Sequence, residues 1–180
     1  MRRHLPLLPK PSHYLGNETG AVQKRPEDVA CRLALAFPDL YEVGMSYLGQ
    51  AILYQAVNEH PDLWAERVFA PTLEAAEVLR QRSIPLCTLE SGTPLGAMDV
   101  VGFSITHELC YTNVLYMLDL AGIPLRASAR DEDHPLILAG GGCTLNAEPL
   151  APFMDLMVLG DGEELLPALL HLVAKGKTLG

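Results

Sequence analysis

The sequence predicts an α/β fold: one parallel five-stranded sheet with helices on both faces. Short apolar runs, such as Leu33–Phe37 and Asp99–Ile105, alternate with longer segments whose apolar residues return every three or four positions. Most of these runs end in a tight loop marked by Gly, Pro or Asp. The chain of 180 residues, 49% hydrophobic and 19% charged, suits one domain with a substantial core. Short alternating strand–helix units imply right-handed crossovers, which place helices on both faces of a parallel sheet.

Residues 1–30 carry several prolines, the turn-forming Asn17-Glu-Thr-Gly20 and a charged patch from Lys24 to Asp28. They read as an extended arm with one turn at Gly16–Gly20. The α/β domain then spans residues 31–176. Its first strand is Cys31–Phe37, stopped by Pro38 and Asp39, and its first helix is Tyr47–His60, stopped by Pro61. Arg67–Ala70 is a short second strand, and Pro71 opens a helix that runs to Arg82. Ile84–Leu89 is apolar but broken by proline, so it forms either an edge strand or a small hairpin turning at Ser91–Pro94. Asp99–Ile105 is a buried strand, followed by a helix over Leu109–Leu120 that Gly122 and Pro124 close. After a charged loop, Leu136–Ala139 forms the fourth strand and Asp155–Leu159 the fifth, with a last helix over Glu164–Ala174. This length fits the flavodoxin-like, doubly wound order 2-1-3-4-5 better than a six-stranded dinucleotide fold. The chain ends just past the last helix, at Lys177–Gly180, as one domain of a longer protein would.

Charge and cysteine usage exclude several functions. Residues 1–27 hold five Lys/Arg and two Asp/Glu, whereas residues 28–180 hold eight and twenty. An acidic body disfavours phosphate-backbone binding by the domain, which needs clustered cations. The basic arm (Arg2, Arg3, Lys24, Arg25) leaves contact with nucleic acid or an acidic neighbour open. Cys31, Cys87, Cys110 and Cys143 are far apart, so no zinc-ribbon or C-x-x-C spacing exists, and Cys31 and Cys87 read as buried, reduced packing residues. No apolar stretch is long enough to span a bilayer, and the proline-broken start is a poor signal peptide. These features imply a cytoplasmic protein without a membrane partner.

Ligands of open α/β sheets bind outside the carboxyl ends of the strands, which here means four loops. These are Asp39–Ser46, Ser104–Glu108, Gly140–Asn146 and Gly160–Glu164. Glycine lets backbone approach a flat or bulky ligand, and one glycine would have sufficed for the turn at Gly140–Gly142. Gly160-Asp-Gly162 suits a ligand loop and a plain strand end equally. His107 and Glu108 are candidates for acid–base or metal chemistry, although sequence neighbours on a helix point about 100° apart. Cys110 and Cys143 could meet at the crevice as a redox or metal pair. A small enzyme using Ser104, His107 or Cys143 would need those groups within hydrogen-bond reach of one another.

These loops resemble the N-terminal domains of cobalamin-binding-type radical SAM proteins. The resemblance covers about residues 30–175 and rests on Pro38-Asp-Leu-Tyr-Glu-Val-Gly-Met-Ser-Tyr-Leu-Gly49, Phe103-Ser-Ile-Thr-His-Glu-Leu-Cys-Tyr-Thr-Asn-Val-Leu115, Gly140-Gly-Gly142 and Gly160-Asp-Gly-Glu-Glu164. It implies that the family's D-x-H-x-x-G, S-x-L and G-G elements fall on Asp39, Tyr41 and Gly44, on Ser104 and Thr106, and on Gly140 and Gly141. Gly142, Gly160 and Gly162 join the implied cofactor-binding set. Tyr41 replaces the family's cobalt-ligating histidine, and Thr106 its leucine. A phenol with a reference pKa of about 10 ligates only if it ionises. Either cobalamin binds without a lower protein ligand, or the crevice no longer holds it. The family's 4Fe-4S cluster and S-adenosylmethionine require a C-x-x-x-C-x-x-C motif that this sequence lacks. The resemblance therefore implies a C-terminal radical SAM domain as partner, with this domain not catalytic alone. The alternative is a docking domain, without cofactor, for a protein or RNA substrate, in which Tyr41, Met45 or Tyr111 would plug the groove.

Overall fold

The computed structural model describes residues 2–177; the side chains of Arg2, Arg3 and Lys177, and residues 178–180, lie outside the described residues. The strands are β1 (Cys31–Phe37), β2 (Leu63–Phe69), β3 (Val100–Ser104), β4 (Leu136–Gly140) and β5 (Leu156–Met157). They form one sheet in the order β2-β1-β3-β4-β5, parallel throughout, as the strand–helix alternation predicts. The helices are α1 (Tyr41–Ser46), α2 (Leu48–Asn58), α3 (Leu73–Gln81), α4 (Tyr111–Ala121) and α5 (Gly162–Lys177).

Side chains alternate across a strand, and β1 shows what that does here. Leu33 and Leu35 pack with Tyr54 and Val57 of α2 and with Leu166 and Leu170 of α5. Ala34 and Ala36 face the other way, into a cluster with Ala75, Ala76 and Leu79 of α3 and Val114, Met117 and Leu118 of α4. Each face of the sheet therefore carries two helices.

Several expected boundaries move. The helix expected over Tyr47–His60 is α2, and the loop expected ahead of it holds a further short helix, α1, parted from α2 at Tyr47, whose backbone is extended (φ −84°, ψ 114°). Gly44 lets α1 pack onto the sheet end: a Cβ there would lie 2.2 Å from the Phe69 ring. Pro71 precedes α3 rather than opening it. Thr72 is the N-cap, its hydroxyl accepting the Ala75 N–H at 3.3 Å. α4 starts at Tyr111, after a 3-10 turn over Glu108–Cys110, and stops where expected, at Gly122 with φ +70°. β5 is only two residues long, and before it the Asp155 carboxylate accepts the Ile137 N–H (2.7 Å) and an Arg130 N–H (2.9 Å).

The largest shift is in β2, which begins at Leu63 rather than Arg67 and buries every residue. Its charged residues are absorbed by partners. Glu66 takes the Arg32 guanidinium, the Thr88 hydroxyl at 2.8 Å and the Ser91 N–H at 3.0 Å. Arg67 donates from Nε to Glu90 at 2.7 Å and from its other arm to Glu18 at 3.0 Å, with its guanidinium 4.7 Å from the centre of the Tyr54 ring. Glu90 also accepts the Arg67 backbone N–H at 2.7 Å. Buried charge is tolerated only when paired and hydrogen-bonded, and both conditions are met.

Ile84–Leu89 resolves as a hairpin, with Cys87 bridged to Pro94 and Gly92 at φ +72°. The Leu89 N–H donates to the Arg67 carbonyl at 2.9 Å, so the hairpin covers the outer edge of β2. The N-terminal arm is not wholly extended: it holds 3-10 turns at Arg2–Leu7, Pro11–Tyr14 and Pro26–Asp28. It is strapped down. Val22 donates to the Tyr54 hydroxyl (2.7 Å) and accepts from the Trp64 indole (3.2 Å), while Lys24 donates to the carbonyls of Asn58, His60 and Leu63. Among the described residues no helix is long and apolar enough to cross a membrane.

Candidate functional site

Parallel pairing sends the loops after β1, β3 and β4 to the same rim. Ser104 and Gly140 are register partners, and the Ile105 N–H donates to the Gly140 carbonyl at 2.7 Å. Asn113 of α4 donates to the Pro38 carbonyl at 2.9 Å, which ties the β1 loop to the same edge. The three expected segments, Asp39–Gly44, Ser104–Thr106 and Gly140–Gly142, thus stand side by side, at the strand-order reversal between β1 and β3 where such sheets take ligands.

A crevice of about 270 Å³ opens there on the α2/α5 side. Ser104, Thr106, Gly140, Gly141, Gly160 and Gly162 line it. Asp39, Tyr41, Gly44 and Gly142 do not lie among its lining residues. Gly44 faces a separate cavity beside the arm, and Tyr41 a small one against His13 and Phe69. Tyr41 stacks on His13 with ring centroids 4.2 Å apart and donates its hydroxyl to Glu18 at 3.0 Å. Burial and that carboxylate both raise its pKa, so the phenol holds its proton.

The crevice walls are apolar: Leu35, Ile52, Leu53, Leu138, Val158 and Leu166. Its polar side chains are Ser104 and Thr106, with Tyr47, Asp161 and Glu163 at exposed positions. The Ser104 hydroxyl is committed: it donates to Gln50 Oε1 at 3.0 Å, and Gln50 Nε2 donates to the Leu35 carbonyl at 3.0 Å. The glycines divide by role. Gly141 has φ +107° and a Cβ on it would lie 2.6 Å from the Ile105 carbonyl oxygen, so the fold itself requires it. The Thr144 hydroxyl locks that turn through the Gly141 carbonyl at 2.7 Å. Gly140 and Gly142 have no such constraint: a Cβ would meet Val158 at 4.0 Å in the first case and nothing in the second.

The crevice also uses residues that periodicity does not flag, notably Gly102 and Gly49. Gly102 sits mid-strand in β3, where a side chain would press on Leu138 (3.0 Å) and Leu33 (3.3 Å). A glycine inside a strand is the signal that would have found it, since it marks a close approach to the backbone.

The candidate enzyme constellation does not assemble. Ser104 is engaged by Gln50, and His107 meets Cys110 rather than Ser104 or Cys143, with Cys110 Sγ 3.4 and 3.3 Å from its two ring nitrogens. None of the four cysteines is in a disulfide, and Cys110 is fully buried. Burial raises the Cys110 thiol's pKa and the Asp39 carboxylate adds to the shift.

The model of the N-terminal region of radical SAM proteins matches residues 49–180. The chain belongs to that family. The match covers α2 onward, including the β3, β4 and β5 loops that form the crevice, and the family implies a radical SAM domain following in the same chain. No curated protein matches the chain.

Proposed function

We propose that this radical SAM N-terminal domain holds a cobalamin over the β3–β4 rim and presents it to the radical SAM domain of the same protein. The observation that carries the reading is the unfilled crevice above Gly140. Its walls are apolar, Gly140 has space where a side chain would sit, and Tyr41, Met45 and Tyr111, the residues that would plug a docking domain's groove, line none of it. No imidazole lines the crevice either, so the donor set fits a cofactor bound without a lower protein ligand.

Ile52, Leu53 and Leu166 would exclude water from the buried part of the cofactor, and Gly140, Gly141 and Gly160 would let it approach the backbone. About 270 Å³ is smaller than the whole cofactor, so part of it would stand outside the crevice. When bound, cobalamin supplies a cobalt centre able to carry an alkyl group or an electron. Exposed leucines flank the crevice, with Leu48 72%, Leu145 86% and Leu159 58% accessible, beside the exposed carboxylates of Asp161 and Glu163. A following domain docked there would cover these leucines and the cofactor.

Titration with hydroxocobalamin tests the reading. Retention of the cofactor through gel filtration, with a shifted visible spectrum, is expected. Neither retention nor a spectral change with the native chain would sink it.

A further inference from the structure

Asp39, His107 and Cys110 each offer one ligand atom, all within 4.8 Å of one another. We propose that they form a mononuclear site for a transition-metal dication of the zinc type, on the rim beside the crevice. The inference does not depend on cobalamin binding, because none of the three residues lines the crevice.

The geometry is that of ligands awaiting an ion. Zinc–sulfur and zinc–nitrogen bonds of about 2.3 and 2.05 Å at a tetrahedral angle put the two ligand atoms about 3.6 Å apart. Cys110 Sγ already stands 3.3 and 3.4 Å from the ring nitrogens of His107. A modest turn of the exposed imidazole would direct one nitrogen at the ion. The Asp39 carboxylate is oriented by the Leu40 N–H, which donates to Oδ1 at 2.7 Å, and its other oxygen remains to ligate.

The backbone positions are fixed independently of any metal. Asp39 is anchored through its N–H to the Phe37 carbonyl (2.8 Å) and its carbonyl to the Ala70 N–H (2.9 Å). Cys110 donates its N–H to the His107 carbonyl at 3.2 Å, closing the 3-10 turn that sets the two side chains on one side. A thiolate, an imidazole and a carboxylate suit a borderline-soft dication and select against magnesium and calcium, which take oxygen ligands. Three protein ligands leave a fourth position open, the arrangement of an ion that takes up a further ligand rather than one that staples a fold. That ligand would be a small oxygen, nitrogen or sulfur donor arriving at the rim.

A second donor group, His60, Asp62 and His171, lies where α5 meets the α2–β2 turn. There the His171 ring already lies in hydrogen-bond contact with Asp62 at 3.2 Å, and that group serves as the control.

The test is titration of the apo chain with Co²⁺, followed by competition with Zn²⁺. Expected is one equivalent of Co²⁺ with a thiolate-to-cobalt charge-transfer band, displaced by Zn²⁺. His107→Ala, at an exposed position that leaves the fold intact, should weaken Co²⁺ binding at least about tenfold. Cys110→Ser should abolish the charge-transfer band, and Cys143→Ser and the double variant His60→Ala/His171→Ala should keep it. No charge-transfer band in the native chain, a band that survives Cys110→Ser, or one lost with His60→Ala/His171→Ala would overturn the assignment.

Discussion

The two edges of this sheet handle polarity in opposite ways. At the β2 edge, Glu66, Arg67 and Glu90 are all buried, and each is taken up by Arg32, Glu18, Ser91 or by one another under a cover of arm and hairpin. At the β4–β5 edge the crevice is walled by glycine backbone and apolar side chains, and its carboxylates, Asp161 and Glu163, stand exposed rather than buried among partners. The first edge is closed and structural; the second is open and available. Buried, paired charge in this sequence marks the seal, and glycine backbone marks the candidate site. The reason is that a buried charge must be saturated by partners, which leaves nothing free for a ligand, whereas unoccupied glycine surface commits nothing in advance.

The contrast can be broken most sharply at the closed edge. Glu90→Ala would leave Arg67 buried with one ion-pair partner removed, and should destabilise the chain by about 3–5 kcal/mol. Urea unfolding would measure it, and a loss below about 1 kcal/mol would show that the seal is not held by that pair. Next is Gly141→Ala. With φ +107° and the Ile105 oxygen 2.6 Å from the new Cβ, it should lose about 1–3 kcal/mol by the same assay. Gly140→Leu sharpens the open side, because there a Cβ meets only Val158 at 4.0 Å. Stability should stay within about 0.5 kcal/mol of the native value, while hydroxocobalamin binding weakens at least about tenfold, or 1.4 kcal/mol. A variant that keeps full affinity would show that the crevice is not the binding surface.

The smallest effect concerns the arm. Burial, with the neighbouring Tyr116 and Glu42, pushes the Tyr14 hydroxyl from 10.0 up to about 12. The folded chain therefore holds that proton where the unfolded chain releases it. This contribution is fully present below the unfolded value and fades as pH rises from about 10 to about 12. Tyr14→Phe should flatten the alkaline decline in stability over that window without removing it, since burial raises Tyr54 as well. An unchanged slope in denaturation midpoint against pH would show that the arm's tyrosine is not buried in solution.

The sheet order, the helix stops at Gly122 and the hairpin option over Ile84–Pro94 were legible because apolar period and turn chemistry are local signals. Local period also misled. Ala65-Glu66-Arg67 reads as an interruption of an apolar run, so the strand that starts at Leu63 is placed too late. Nothing near those residues announces that Arg32, Ser91 and Glu18 will arrive to pair them. The short helix α1 goes unannounced for a similar reason, since its Gly44 packs on Phe69, a residue of the next strand.

The candidate site divides along the same line. The glycine loops at 140–142 and 160–162 could be read as rim from their place after strands, and four of those glycines, with Ser104 and Thr106, do line the crevice. The direction of Tyr41, held to His13 and Glu18 of the arm, could not.

By itself the sequence determined the class of fold and the rim on which its loops gather, because spacing and turn residues act over a few positions. Only the tertiary structure decided which charges are sealed away and that Asp39 meets His107 and Cys110. Asp39 is far along the chain from His107 and Cys110 and becomes their neighbour only once β1 and β3 lie side by side; the alternation of elements predicts that pairing but not which side chains then meet.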